Sequence, residues 1–304
     1  MRKISAATVL ATVFITWPSI SYGCDDGMIG PCAPARPESE STLGMRNLDK
    51  PTGSKQIFDT VRSLGTQAVD DTAYILTSPL RIDRKSALIV GGVAAGIGGL
   101  MVADKTIQRA FQENRTDTTD EIAKTFETIG FSRTVLGANV ALIGAGWLFR
   151  QHEEGNKLMR TALVSLEAQL LTEGIAGLTK FTVGRARPGA GLGTQTYEPF
   201  EGFEKSFPSS HAARSFAVAA VFADAYPQPV PFLVYTSAAL ISLSRIHVNE
   251  HFASDVLAGA VLGFVIGKAL SWRHRHPDML RGWSLLPFVP EARGGLGLTM
   301  EYRF

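Results

Sequence analysis

The sequence is short of cysteine, of net charge and of long uninterrupted apolar runs, and each shortage narrows what the chain can be. A net charge of only +2 leaves no basic surplus of the kind that marks a nucleic-acid binder. The only cysteines, Cys24 and Cys32, have no metal-ligating company, and their place in a Gly/Pro-containing segment reads as a small disulfide loop in an exported protein. Such a loop closes only a short terminal stretch and adds little to the stability of the main domain. Glycine and proline are spread along the chain, with no collagen-like or low-complexity block. Apolar residues make up 45% and mean hydropathy is +0.09, which is apolar for a soluble protein and low for a polytopic membrane protein.

What is present falls into four parts. Residues 1–23 read as an export signal: Arg2 and Lys3, an apolar run from Ile4 to Ile20, then Ser21-Tyr22-Gly23 with small residues where a signal peptidase inspects them. Residues 24–53 are polar, rich in Pro, Gly and Ser and without periodicity, and read as a flexible tether. Residues 54–280 are expected to form the folded domain. Apolar positions recur at helical spacing from Ser54 to Thr77. Six apolar helical segments follow, at 86–104, 133–149, 159–180, 211–225, 231–246 and 254–271. The expected fold is therefore all-α, an antiparallel bundle of about six core helices. Residues 281–304 read as a β-hairpin about Gly294-Gly295, expected to dock on the bundle.

Most of the six segments hold about 15–18 uninterrupted apolar residues, fewer than the roughly 20 that span a bilayer. Glu167 and Glu173 interrupt the third and Arg214 the fourth. The expected location is the cell envelope, with the bundle exported to the periplasm and associated with the inner membrane. An integral membrane protein is the alternative.

Three clusters within Lys180–Asp255 carry the chemistry. The first is K-FTVGRA-RP, with Lys180 and Arg187; the second is PSSH, with Ser209, Ser210 and His211; the third is SR-IHVNE-H-FAS-D, with Arg245, His251 and Asp255. Attack on a phosphate ester needs its oxygens neutralised, an in-line nucleophile and an acid for the leaving oxygen. Lys180, Arg187 and Arg245 supply positive charge, the arginines as forks that match phosphate oxygens. Ser209 adds a hydroxyl, and the amides near Ser210 and His211 open a helix, itself a site for anions. His251 and Asp255 lie four residues apart, so on one helix their side chains would meet and the carboxylate would fix the imidazole tautomer. His211 would protonate the leaving oxygen and later activate water. Each cluster alone is common as a helix end, an N-cap or a surface pair; their joint occurrence in this order is the signal.

The order and spacing resemble the type 2 phosphatidic acid phosphatase (PAP2) superfamily, which also contains bacterial acid phosphatases and vanadium haloperoxidases. Its signature, K-x6-RP, PSGH and SR-x5-H-x3-D, is matched at nearly every defined position over about 75 residues. The resemblance implies that Lys180, Arg187, Ser209, Ser210 and Arg245 bind phosphate. It makes His251 the nucleophile of a phosphohistidine, with Asp255 its partner and His211 the general acid and base. It implies a metal-independent phosphatase with no cofactor, inhibited by vanadate, acting on phosphate monoesters or on lipids such as phosphatidate or a polyprenyl pyrophosphate at a membrane surface. A vanadium haloperoxidase and a catalytically silent phospholipid-binding protein are the alternatives. One departure stands out: the family's Gly in PSGH is Ser210 here, which would be strained if the position required positive φ. Arg185, His247 and Glu250 fall outside the signature and read as rim or structural residues, and Arg214 as packing or pairing locally.

Overall fold

The computed structural model describes residues 54–78, 82–276, 282–288 and 297–303. The expected signal, the tether and the Cys24–Cys32 pair lie outside these residues. The helices are α1 (Ser54–Thr77), α2 (Arg84–Glu113), α3 (Asp117–Ile129), α4 (Ser132–Leu148), α5 (Glu153–Val183), α6 (Ser210–Ala225), α7 (Val230–His247) and α8 (Ala253–Arg275). The all-α expectation holds. Further on, Gly282–Phe288 and Gly297–Arg303 pair antiparallel, but the docking of a hairpin on the bundle gains no support.

Two helices differ from the sequence reading for physical reasons. α2 does not stop at Asp104 but runs on to Glu113, because Asp104 is fully buried against Arg185 and needs no solvent. α3 has no counterpart among the expected segments. Its polar opening D-T-T-D hides a short apolar face of Ile122, Phe126 and Ile129, and a reciprocal cap between Thr116 and Thr119 starts it.

The tightest packing joins α6 to α8. Gly259, Gly263 and Gly267 recur every fourth residue along α8 and face Ser209, Ala213 and Ala217; a Cβ on Gly263 would lie 1.8 Å from the Ala213 carbonyl oxygen. Ala212, Ala213, Ala217 and Ala220 are fully buried on the α6 side, so both backbones approach closely. Val164, Ala168, Val221, Ile266 and Leu270 close the core where α5 joins.

The acidic residues that interrupt the third apolar segment are anchors. Glu173 on α5 accepts from Ser132 of α4, at 2.8 Å, and from Arg214 of α6, at 2.7 Å. Arg214 also donates to the Gly130 carbonyl at 2.7 Å, so its partners are distant in sequence rather than local. Glu167 meets His274 of α8 at 3.0 Å, and Asp71 of α1 pairs with His274 and Arg273. These charges pin α1 to the bundle.

Arg84–Glu113 and Ala253–Arg275 are each long and apolar enough to cross a membrane, contrary to the estimate from uninterrupted runs. None of the apolar window of α2 is buried, and Leu88 and Val102 are 78% and 86% exposed. A surface this apolar is out of place in water, and it associates the protein with a membrane.

Candidate active site

α5 delivers Lys180 in its last turn and ends at Gly184, whose φ of +66° and contact with the Glu198 carbonyl leave no room for a side chain. The chain then turns through Arg185, Ala186 and Arg187 into Pro188, and the Gly189 amide donates to the Asn249 carbonyl at 3.1 Å. That bond ties the first cluster to the third. Ser209 caps α6, and its amide donates at 3.0 Å to the carbonyl of Asp255, which ties the second cluster to the third. Arg245 sits in the last turn of α7, and its carbonyl receives the Glu250 and His251 amides at 3.1 and 3.2 Å. Asn249 takes positive φ in that turn, a conformation Asn tolerates better than most residues. All three clusters therefore meet at one end of the bundle.

His251 is 3% exposed, and its Nδ1 lies 2.7 Å from the Ser206 carbonyl oxygen. A carbonyl only accepts, so Nδ1 carries the proton and Nε2 keeps its lone pair. This corrects the expected His251–Asp255 pair. His251 belongs to the turn before α8, not to the helix, so four-residue spacing does not bring the two side chains together. The Asp255 carboxylate instead accepts from the Phe252 amide at 2.9 Å, from the Ser206 hydroxyl, and from Arg185 at 2.7 Å. Its link to His251 runs through Ser206.

Arg185 is not a rim residue. It is completely buried and bridges Asp255 at 2.7 Å to Asp104 of α2 at 2.8 Å, while its guanidinium lies 4.4 Å from the centroid of Phe252. The two signature arginines also have carboxylate partners. Arg187 pairs with Glu250, and Arg245 with Glu127 of α3, with Glu250 at 3.8 Å from Arg245. His247 pairs with Asp120 of α3 at 2.7 Å. Lys180 donates to the Lys205 carbonyl.

Electrostatics favour an arriving anion. Burial, reinforced by Arg187, brings Lys180 down to about 7, and burial with Arg245 brings His211 down to about 2. His251 is held well below the usual histidine value by burial and then by Lys180. Both histidines are thus held toward the neutral form in the free site. Four signature atoms, Ser209 Oγ, His211 Nε2, Arg187 Nε and Arg245 Nε, are buried without a partner among the described residues. Burying polar atoms unpaired costs about 1–3 kcal/mol each, and an oxyanion would satisfy the donors among them. Ser210 is the first residue of α6 and does not take positive φ, so the strain feared from losing the family glycine does not arise.

Residues 161–277 match the PAP2 superfamily model, and all three clusters lie inside that match. Over those residues the chain is similar to the PAP2 superfamily. Among curated proteins, the chain is 34% identical to a lipid A 1-phosphatase of Porphyromonas gingivalis over 140 residues, 45% of this chain and 28% of that protein. It is 33% identical to a lipid A 1-phosphatase of Rhizobium etli over 168 residues, 49% of this chain and 64% of that protein. It is 33% identical to a decaprenylphosphoryl-5-phosphoribose phosphatase of Mycobacterium tuberculosis over 129 residues, 42% of this chain and 66% of that protein. The chain thus spans less than two thirds of the length of either lipid A 1-phosphatase.

Sequence reasoning missed Ser206, Asp104, Glu127 and Asp120. Ser206 stands just before PSSH and could have been noticed by proximity. The three carboxylates precede residue 161, outside the PAP2 match, and no motif announces them.

Proposed function

We propose that the protein is a metal-independent phosphatase that hydrolyses lipid phosphate esters through a phosphohistidine. The observation that carries this reading is the bond between His251 Nδ1 and the Ser206 carbonyl, which leaves Nε2 unprotonated beside the cations. The Nε2 lone pair attacks phosphorus, the phosphorus–oxygen bond to the alcohol breaks in line, and Lys180, Arg187, Arg245 and Ser209 hold the equatorial oxygens. The phosphate charge offsets the cations that depress His211, so His211 acquires the proton it passes to the leaving alkoxide. In the second half-reaction His211 takes a proton from water, the water oxygen attacks phosphorus, and the bond to His251 breaks. Asp255 acts at one remove, by fixing Ser206 and Arg185.

The lipid part of the reading is supported by the exposed apolar helices and by relatives whose names specify lipid A and decaprenylphosphoryl substrates. A leader over residues 1–23 would place the protein in the cell envelope.

The test is phosphate release from the full chain in detergent with EDTA, using p-nitrophenyl phosphate and a long-chain phosphatidate, beside His251→Ala. Release that survives chelator, is inhibited by vanadate and falls about 10³-fold or more in the variant is the expected result. Rapid quenching in base should trap a base-stable, acid-labile phosphoprotein in the wild type only. Activity lost to EDTA, or retained by His251→Ala, overturns the reading.

A further inference from the structure

We propose that Phe200 and Phe203, together with Phe181, seat the apolar chain of the membrane lipid whose phosphate enters the site. The inference rests on the phosphatase reading and adds the route by which the lipid lies against the protein.

The connection between α5 and α6 does something unusual with its aromatics. Phe200 and Phe203 are 66% and 62% exposed, although a loop of this length has a core beside it in which to bury them. They gather instead on Phe181 at the end of α5: Phe203 stacks on it at 5.1 Å and Phe200 meets it edge-on at 5.4 Å. Phe200 holds a φ of +66°, which bulky residues rarely adopt, and its amide is fixed to the Phe181 carbonyl at 2.7 Å. The backbone is thus constrained so as to present the ring outward.

Two features say what covers this cluster. First, it continues an apolar stripe: Leu170 and Leu178 of α5 are exposed and share a helical face with Phe181. That stripe suits hydrocarbon, and the three rings close its end nearest the site. Second, the cluster abuts the phosphate cradle. Phe181 follows Lys180, and Lys205, two residues beyond Phe203, gives its carbonyl to the Lys180 ammonium and pairs with Glu198. A molecule that placed a phosphate on Lys180 and a chain on Phe203 would have the polarity sequence of a membrane lipid, head group inward and chain along α5.

The experiment compares Phe200→Ser/Phe203→Ser with wild type, full chain, on long-chain phosphatidate in phosphatidylcholine vesicles and on p-nitrophenyl phosphate. Losing two aromatic surfaces should raise KM for the lipid about tenfold or more and leave kcat/KM for the small ester within about twofold. Equal losses on both substrates, or no change on either, overturn the proposal. Phe203→Trp provides a readout that does not require turnover. In vesicles of dibrominated phosphatidylcholine its added fluorescence should be quenched relative to unbrominated vesicles, after subtracting the four native tryptophans. Quenching by aqueous acrylamide but not by bromolipid overturns the seat. Bromolipid quenching in a protein that releases no phosphate would sink the phosphatase reading and leave the seat standing.

Discussion

Helices α6 and α8 and helices α2 and α3 are built on opposite surfaces, and the contrast explains how the site is held. The α6–α8 pair is a seam of Gly and Ala in which backbones touch, and it lies inside the PAP2 match. It needs no charge. Helices α2 and α3 precede that match, expose much of their apolar surface, and touch the site's charged groups through carboxylates, Asp104 on Arg185, Glu127 on Arg245 and Asp120 on His247, while Gln108 and Gln112 of α2 bond Asn249 and the Ile246 and His247 carbonyls. One region places the reactive groups by packing, the other orients their cations by charge. The reactive residues therefore depend on parts of the chain that share none of their motif.

The largest way to break that comparison is to cut the charge that joins the two regions. Arg185→Ala leaves Asp104 and Asp255 buried without their cation, a loss that typically costs about 3–5 kcal/mol. Thermal unfolding in detergent should show a marked fall in midpoint, and Asp104→Asn a smaller one, since Asp255 then keeps Arg185. Unchanged midpoints would mean that the two regions are not held through this triad.

A smaller effect should come from the seam. Gly263→Ala puts a methyl group where the Ala213 carbonyl oxygen already lies, so α6 and α8 must separate, at about 1–3 kcal/mol for overpacking of this kind. Because Ser209 and Asp255 are bonded across the same crossing, kcat should fall together with stability. Gly174→Ala serves as control, because a Cβ there meets nothing within 4 Å. Equal behaviour of the two variants would remove the seam from the account.

Glu127→Gln sharpens the comparison from the other side. It keeps the shape of the Arg245 partner and removes its charge, so an arginine held only in part should bind phosphate about tenfold less tightly, near 1.4 kcal/mol. The expected signature is a raised KM with kcat nearly kept. A proportional fall in kcat instead would mean that Glu127 takes part in the chemical step.

The same contrast marks what was legible in the sequence. The helices were readable because apolar periodicity survives local charge, and the first helical stretch, Ser54 to Thr77, coincides with α1. The three clusters were readable because each is continuous in sequence. Relationships across the fold were not. The partner of His251 is a backbone carbonyl, which no side-chain pattern can announce. The partner of Asp255 is Arg185, 70 residues away, and Glu127 lies 118 residues from Arg245. α3 escapes because its opening is polar, and α2 reads short because Asp104 breaks its apolar run.

The mildest probe concerns the one cradle cation with no carboxylate among the ion pairs described. Lys180 is lowered to about 7 by burial and by Arg187, and only its protonated form attracts an anion. The sign follows directly: charge is present below about pH 7 and is lost as pH rises through it. Since kcat/KM reports the free enzyme, it should fall about fivefold between pH 7 and 8 on this ionisation alone. The second ionisation of a phosphate ester, near pH 6, lies below that window and cannot produce the fall. Lys180→Arg keeps its charge throughout, so whatever activity it retains should show no such limb. If the variant and the wild type fall in parallel above pH 7, another group limits the reaction, and the account of the cradle as two paired arginines with one titrating lysine is wrong.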